Sequence, residues 1–142
     1  MPKSIAACLA VAAACAAFAA TAAGDDSLYR ALGAKEGIEA LTLDFTGRLK
    51  TDARIGHFFA DINRKHLAEQ LRDQFCELSG GPCRLDSDGM KKTHEDLGIR
   101  KADFNRLVEV LQQTMDDHHL PFATQNRLLA LLAPMHREIV GP

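Results

Sequence analysis

A chain of 142 residues has room for one domain and not comfortably for two. Its 17 Lys and Arg against 19 Asp and Glu leave a formal net charge of −2. That balance excludes the basic footprint of a nucleic-acid binder and the polybasic patch that grips lipid headgroups.

Residues 1–23 stand apart. Lys3 is followed by the uncharged run "SIAACLAVAAACAAFAATAA", in which 12 of the 19 residues from Ile5 to Ala23 are alanine. One basic residue, an apolar core and a small-residue exit before "GDD" form the pattern of a cleaved secretory signal. A retained membrane anchor is the alternative, weakened by so much alanine. Cleavage removes only Lys3 among charged groups, so residues 24–142 carry −2 less 1, or −3. The expected location is periplasmic or secreted, with no stable membrane span once the signal is gone.

From residue 24 onward the apolar spacing is helical. Ile38, Leu41, Phe45 and Leu49 recur at steps of three and four, as do Leu67, Leu71, Phe75 and Leu78. Phe104, Leu107, Val108, Leu111 and Met115 form a third stripe, and Leu128, Leu131, Leu132, Met135 and Ile139 a fourth. No stretch alternates as a strand would, so the expected class is all-α. Gly33 and Gly37 should part a short opening helix from the next. "TDARIGHFFADIN" (51–63) is a connector carrying Phe58 and Phe59, and "GGPCRLDSDG" (80–89) is a long link before a short helix with His94. Pro134 should kink the last stripe.

Two cysteines, Cys76 and Cys83, remain after signal removal, a disulfide candidate in an oxidising compartment. A continuous helix would hold them about 10.5 Å apart along its axis, while a bridge needs Cα atoms within about 7 Å. A turn at Gly80, Gly81 and Pro82 would permit it. The alternative is two buried thiols.

The ordered segments "LYRALG", "DARIGHFF", "LSGGP", "MKKTHEDLGI", "FNRLVEVL" and "LLALLAPMHREIV" together resemble the group 1 truncated haemoglobins, from about Ser27 to Val140. The resemblance implies a shortened globin, two helices over two, around haem b. It implies that His94 is the proximal ligand to the haem iron, since a neutral imidazole is the usual globin ligand. Phe59 matches the phenylalanine that packs on the haem. Leu67, Leu71, Phe75, Met90, Ile99, Phe104 and Val108 are the further cofactor-binding candidates. Read without the resemblance, His94 would be a surface histidine and these residues ordinary helix core.

The distal side departs from the family pattern. Many members carry tyrosine directly after the "DF" of the second helix and polar residues on the facing helix. Here Thr46 follows Phe45, and Leu67 and Leu71 take the facing positions. Thr46, Gln70 and Gln74 are the candidate donors. His66 is expected at a haem propionate, alongside Arg64 or Lys65, with iron coordination as the lesser alternative. His118 and His119 should end a helix, and His57 and His136 should lie on the surface.

The function implied is reversible binding of oxygen, NO or CO by a haem protein that is not primarily an enzyme. Nitric-oxide dioxygenation would need an external electron donor. A haem-free helical interaction module is the rival from another class. The chain has no CxxCH for covalent haem attachment, and no residue is assigned a catalytic role.

Overall fold

A computed structural model describes residues 24–141; the proposed signal segment lies outside them. Seven α-helices run in order: α1 (Ser27–Ala31), α2 (Ala34–Thr51), α3 (Arg64–Leu78), α4 (Met90–His94), α5 (Lys101–Asp117), α6 (Phe122–Leu132) and α7 (His136–Ile139). Short 3-10 turns occupy Gly56–Phe59 and Ala133–Met135. Among the described residues there are no strands, and no helix is long and apolar enough to cross a membrane.

Each boundary has a local cause. Asn63 caps α3 by accepting from the His66 backbone N–H at 3.1 Å. At the start of α5, Asp103 accepts from the Arg100 backbone at 2.9 Å. Pro134 cannot continue α6, which tightens into the 3-10 turn and restarts as α7. Gly37, expected to separate two helices, instead lies inside the first turn of α2. Its missing side chain lets the Leu32 carbonyl come close, so α1 folds tightly onto α2.

The four long helices form two pairs, α2 with α3 and α5 with α6, joined by further contacts of α2 with α5 and of α3 with α6. Between them Ile38, Leu41, Phe45, Phe75, Leu111, Met115 and Leu128 are almost wholly buried. The buried hydroxyls of Thr42, Thr46 and Thr114 donate to the carbonyl four residues back, at 3.0, 2.8 and 2.7 Å. The core therefore carries them at little cost.

Cys76 and Cys83 are joined, with Cα atoms 5.7 Å apart. The turn between them uses Gly81, where a Cβ would come within 2.6 Å of both the Cys76 Sγ and the Tyr29 ring. The bridge thus staples the end of α3 to the link whose far end carries α4. Tyr29 packs there and does not reach the interior cavity described next.

Candidate functional site

The apolar stripes are not equally buried, and the pattern of exposure outlines a site. Leu67, Leu71, Phe104, Leu107, Val108, Leu132, Met135 and Ile139 all lie on core-facing stripes yet stay half-buried. Every one of them lines a single cavity of about 590 Å³. Leu131, assigned to the same stripe by spacing, points away and is exposed.

α2 contributes Phe45 and Leu49 to the wall, and the connector adds Ile55, Phe58, Phe59 and Ile62. α3 lays His66, Leu67, Gln70, Leu71, Gln74 and Phe75 along one side. α4 and its flanks supply Met90, Thr93, His94, Leu97 and Ile99. Phe104, Leu107, Val108 and Leu111 of α5 complete the enclosure. Leu49, Ile55, Leu107 and Met135 were not singled out as site residues in the sequence. Leu49, Leu107 and Met135 lie on the apolar stripes and Ile55 lies four residues before Phe59, which was the available signal.

His94 Nδ1 lies 2.7 Å from the Met90 carbonyl oxygen. A carbonyl only accepts, so Nδ1 carries the ring proton and donates it. In the neutral imidazole Nε2 then keeps the lone pair, and His94 lines the cavity. A backbone acceptor thus fixes the orientation of the ring. Among the described residues no group of three or more His, Cys, Asp or Glu could hold a metal directly.

Two of the three candidate donors turn out to be spent. Thr46 is fully buried and does not line the cavity. Its hydroxyl donates to the carbonyls of Thr42 and Leu43, at 2.8 and 3.1 Å, because a threonine inside a helix finds its own backbone first. Gln74 lines the cavity, but its amide Nε2 donates to the Met135 and Met90 sulfurs, at 3.1 and 3.9 Å, which uses both its N–H groups. Gln70, half-buried, remains.

The mouth also differs from expectation. His66 is there, exposed. Arg64 instead folds back onto α2, donating to the Leu43 carbonyl at 2.7 Å, and neither it nor Lys65 lines the cavity. Thr93, Ser87, Asp86 and Asp88 share the rim, and Asp88 is paired with Lys92 at 3.1 Å. His136 is half-buried rather than on the surface, its ring edge-on to Phe104 with centroids 4.9 Å apart. His57 is exposed. His118 joins Asp44 at 3.1 Å and, with the Arg48 bonds to Asp44 and Asp117, ties α5 to α2.

The bacterial-like globin family profile matches residues 27–140, nearly the whole described chain. The chain belongs to that family. Its relatives include the group 1 truncated haemoglobin of Tetrahymena pyriformis, 23% identical over 81% of this chain and 95% of the relative. Another, from Synechocystis, is 29% identical over 80% of this chain and 96% of its own length. The two-over-two globin fold is shared with solved structures. The ferric Tetrahymena pyriformis protein superposes with a TM-score of 0.77 at 23% identity, covering 81% of this chain and 98% of that one. A 2/2 haemoglobin from Synechococcus, solved in the cyanomet state with covalently attached haem, gives 0.75 at 19% identity over 80% and 97%.

Proposed function

We propose that this globin binds haem b in its cavity, with His94 as the ligand to iron, and that the loaded protein binds small diatomic gases reversibly. The observation that carries the reading is His94 itself. It is an imidazole on the wall of an apolar cavity, with Nδ1 committed to a carbonyl and Nε2 left as a donor pair.

The cavity suits the cofactor. Protein interiors pack to near-crystalline density, so an apolar cavity of about 590 Å³ is a ligand site rather than ordinary core. Its walls offer aromatic and aliphatic surface to a flat apolar ring, and its exposed rim residues His66, Ser87 and Thr93 offer donors to a carboxylate edge. Haem, when bound, would be held through His94 and would supply an iron able to take up a gas.

The side chains then have distinct tasks. The Met90 carbonyl favours the Nδ1–H tautomer of neutral His94, which leaves Nε2 as the ligating nitrogen. Phe45, Phe59, Leu67 and Leu71 keep water out, which strengthens any polar contact made inside. Gln70 is the one candidate donor on α3 whose amide is neither at the exposed mouth nor bonded to Met135. This pocket should release oxygen faster than tyrosine-bearing relatives. Nitric-oxide dioxygenation would require an electron donor from outside the chain and is not part of the proposal. Export to an oxidising compartment is supported by the leading segment and by the Cys76–Cys83 bridge.

The test is a haem titration of residues 24–142 followed by reduction under CO. Saturation at one haem per chain and a CO-shifted Soret band support the reading. An absence of stoichiometric binding would leave a helical interaction module in its place.

A further inference from the structure

The connector between α2 and α3 forms a whole wall of the cavity through Ile55, Phe58, Phe59 and Ile62. Ile55 is sealed in the core, whereas Phe58 and Phe59 are only half-buried against it and Ile62 is exposed, so burial holds the far end of that wall less firmly than the near end. Polar bonds reinforce that far end. In the last turn of α2, Lys50 Nζ donates to the carbonyls of Phe59, Ala60 and Ile62 at 2.8, 3.1 and 2.6 Å. An ammonium has three N–H donors, and all three are used on one short stretch of backbone. These carbonyls lie at and just beyond the end of a 3-10 turn, where that of Phe59 also accepts from the Ile62 backbone N–H at 3.2 Å.

The other end of the connector is fastened separately. Asp52 Oδ1 accepts from the backbone N–H groups of Arg54 and Ile55 at 2.9 and 3.1 Å, while Oδ2 accepts two bonds from Arg106 of α5, at 3.0 and 2.8 Å. Gly56 seats the chain directly on α2, where a Cβ would come within 2.9 Å of the Lys50 carbonyl. With that end pinned twice, the free end carrying Phe58, Phe59 and Ile62 has Lys50 as its charged anchor.

We infer that Lys50 is a positioning residue of the cavity. Without lining it, Lys50 holds the Phe58–Phe59–Ile62 wall closed and so sets how quickly the bound cofactor escapes. This rests on the reading that the cavity holds haem. Lysine does this better than a neutral residue because hydrogen bonds to a charged donor are the stronger class. Its alkyl stem also reaches along the helix end without taking cavity volume.

The experiment compares Lys50→Met and Lys50→Arg with the parent chain. The haem-loaded proteins are mixed with an excess of a haem-scavenging apoprotein and the transfer rate is followed in the Soret region. Lys50→Met should lose haem roughly tenfold faster, the loss expected for a partly solvated charged bond. Lys50→Arg, which keeps a multi-donor cation, should stay near the parent rate. Amide exchange on the haem-free chains gives a second readout: in Lys50→Met it should rise across 55–62 and stay unchanged in α6. Equal transfer rates for Lys50→Met and parent would overturn the inference. So would exchange rising equally in every helix, which would mark a general loss of stability. If the parent binds no haem, the haem reading fails, and exchange at 55–62 alone decides whether Lys50 holds the wall.

Discussion

Replacing Gln70 with leucine should speed oxygen release from the haem-loaded protein, while the same treatment of Thr46 or Gln74 should not. All three residues carry a side-chain donor in sequence, and their bonds separate them. The Thr46 hydroxyl is bonded twice to its own helix, and the Gln74 amide to Met135, so neither can turn to a gas without breaking a bond it already has. Gln70 lines the cavity half-buried. A buried hydrogen bond to a charged partner is worth about 1.5–3 kcal/mol, and partial exposure of Gln70 to water moves the expectation to the lower end. At about 1.4 kcal/mol per factor of ten, that is an increase of roughly 10- to 20-fold in the oxygen dissociation rate. CO, which gains less negative charge on binding, should change by less than about twofold. The assay is stopped-flow displacement of oxygen by excess CO, with flash photolysis for the CO rates. Thr46→Val and Gln74→Leu should leave oxygen release within about twofold of the parent. An acceleration by Thr46→Val equal to that of Gln70→Leu would refute the reasoning, since it would put the Thr46 hydroxyl on the gas. No effect from any of the three would mean that oxygen is held without help from these donors.

Further expectations concern stability. Phe75, 1% exposed and facing both the core and the cavity, should cost about 3 kcal/mol when cut to alanine, near the low end for buried phenylalanine because one side already borders the cavity; urea unfolding measures it. Replacing Cys76 and Cys83 by serine opens an eight-residue loop, worth about 2.5 kcal/mol by chain entropy, and should lower the urea midpoint by the corresponding amount without changing helix content. The Asp52 carboxyl is held below its ordinary 3.8, first by its bonds to Arg106 and then by the Arg54 and Ile55 amides. Its contribution to stability is therefore present above about pH 4 and is lost as pH falls through the lower folded value. Asp52→Asn should be less stable at neutral pH and show a shallower loss on acidification, which a series of urea melts between about pH 5 and 2 would reveal.

What the sequence made legible follows from which forces act locally. Helical periodicity located α2, α3, α5 and α6 because each must turn one apolar face inward, whatever lies there. Pro134 marked the break between α6 and α7 because its missing N–H acts at its own position. Periodicity could not tell a residue facing a neighbouring helix from one facing a cavity. Leu71 and Leu41 look alike in sequence, yet one lines the cavity and the other is sealed in core. Side-chain polarity failed in another way. Thr46, Gln74 and Arg64 were candidates because they carry donors, and each had already found a partner in a helix carbonyl or a thioether. Such commitments depend on rotamers and on residues distant in sequence, such as Met135, which no local pattern encodes. The Lys50 grip on three carbonyls nine to twelve residues ahead is of the same kind.

The most direct test of the account is the ligand role of His94. His94→Gly would be compared with the parent, each reconstituted with haem, and spectra recorded reduced, under CO, and after adding free imidazole. The account predicts that the variant loses the five-coordinate histidine spectrum, holds haem weakly, and recovers the parent spectrum when imidazole fills the space. A variant that binds haem and CO with the parent spectrum and affinity would contradict it, because the iron would then be held by some other side chain.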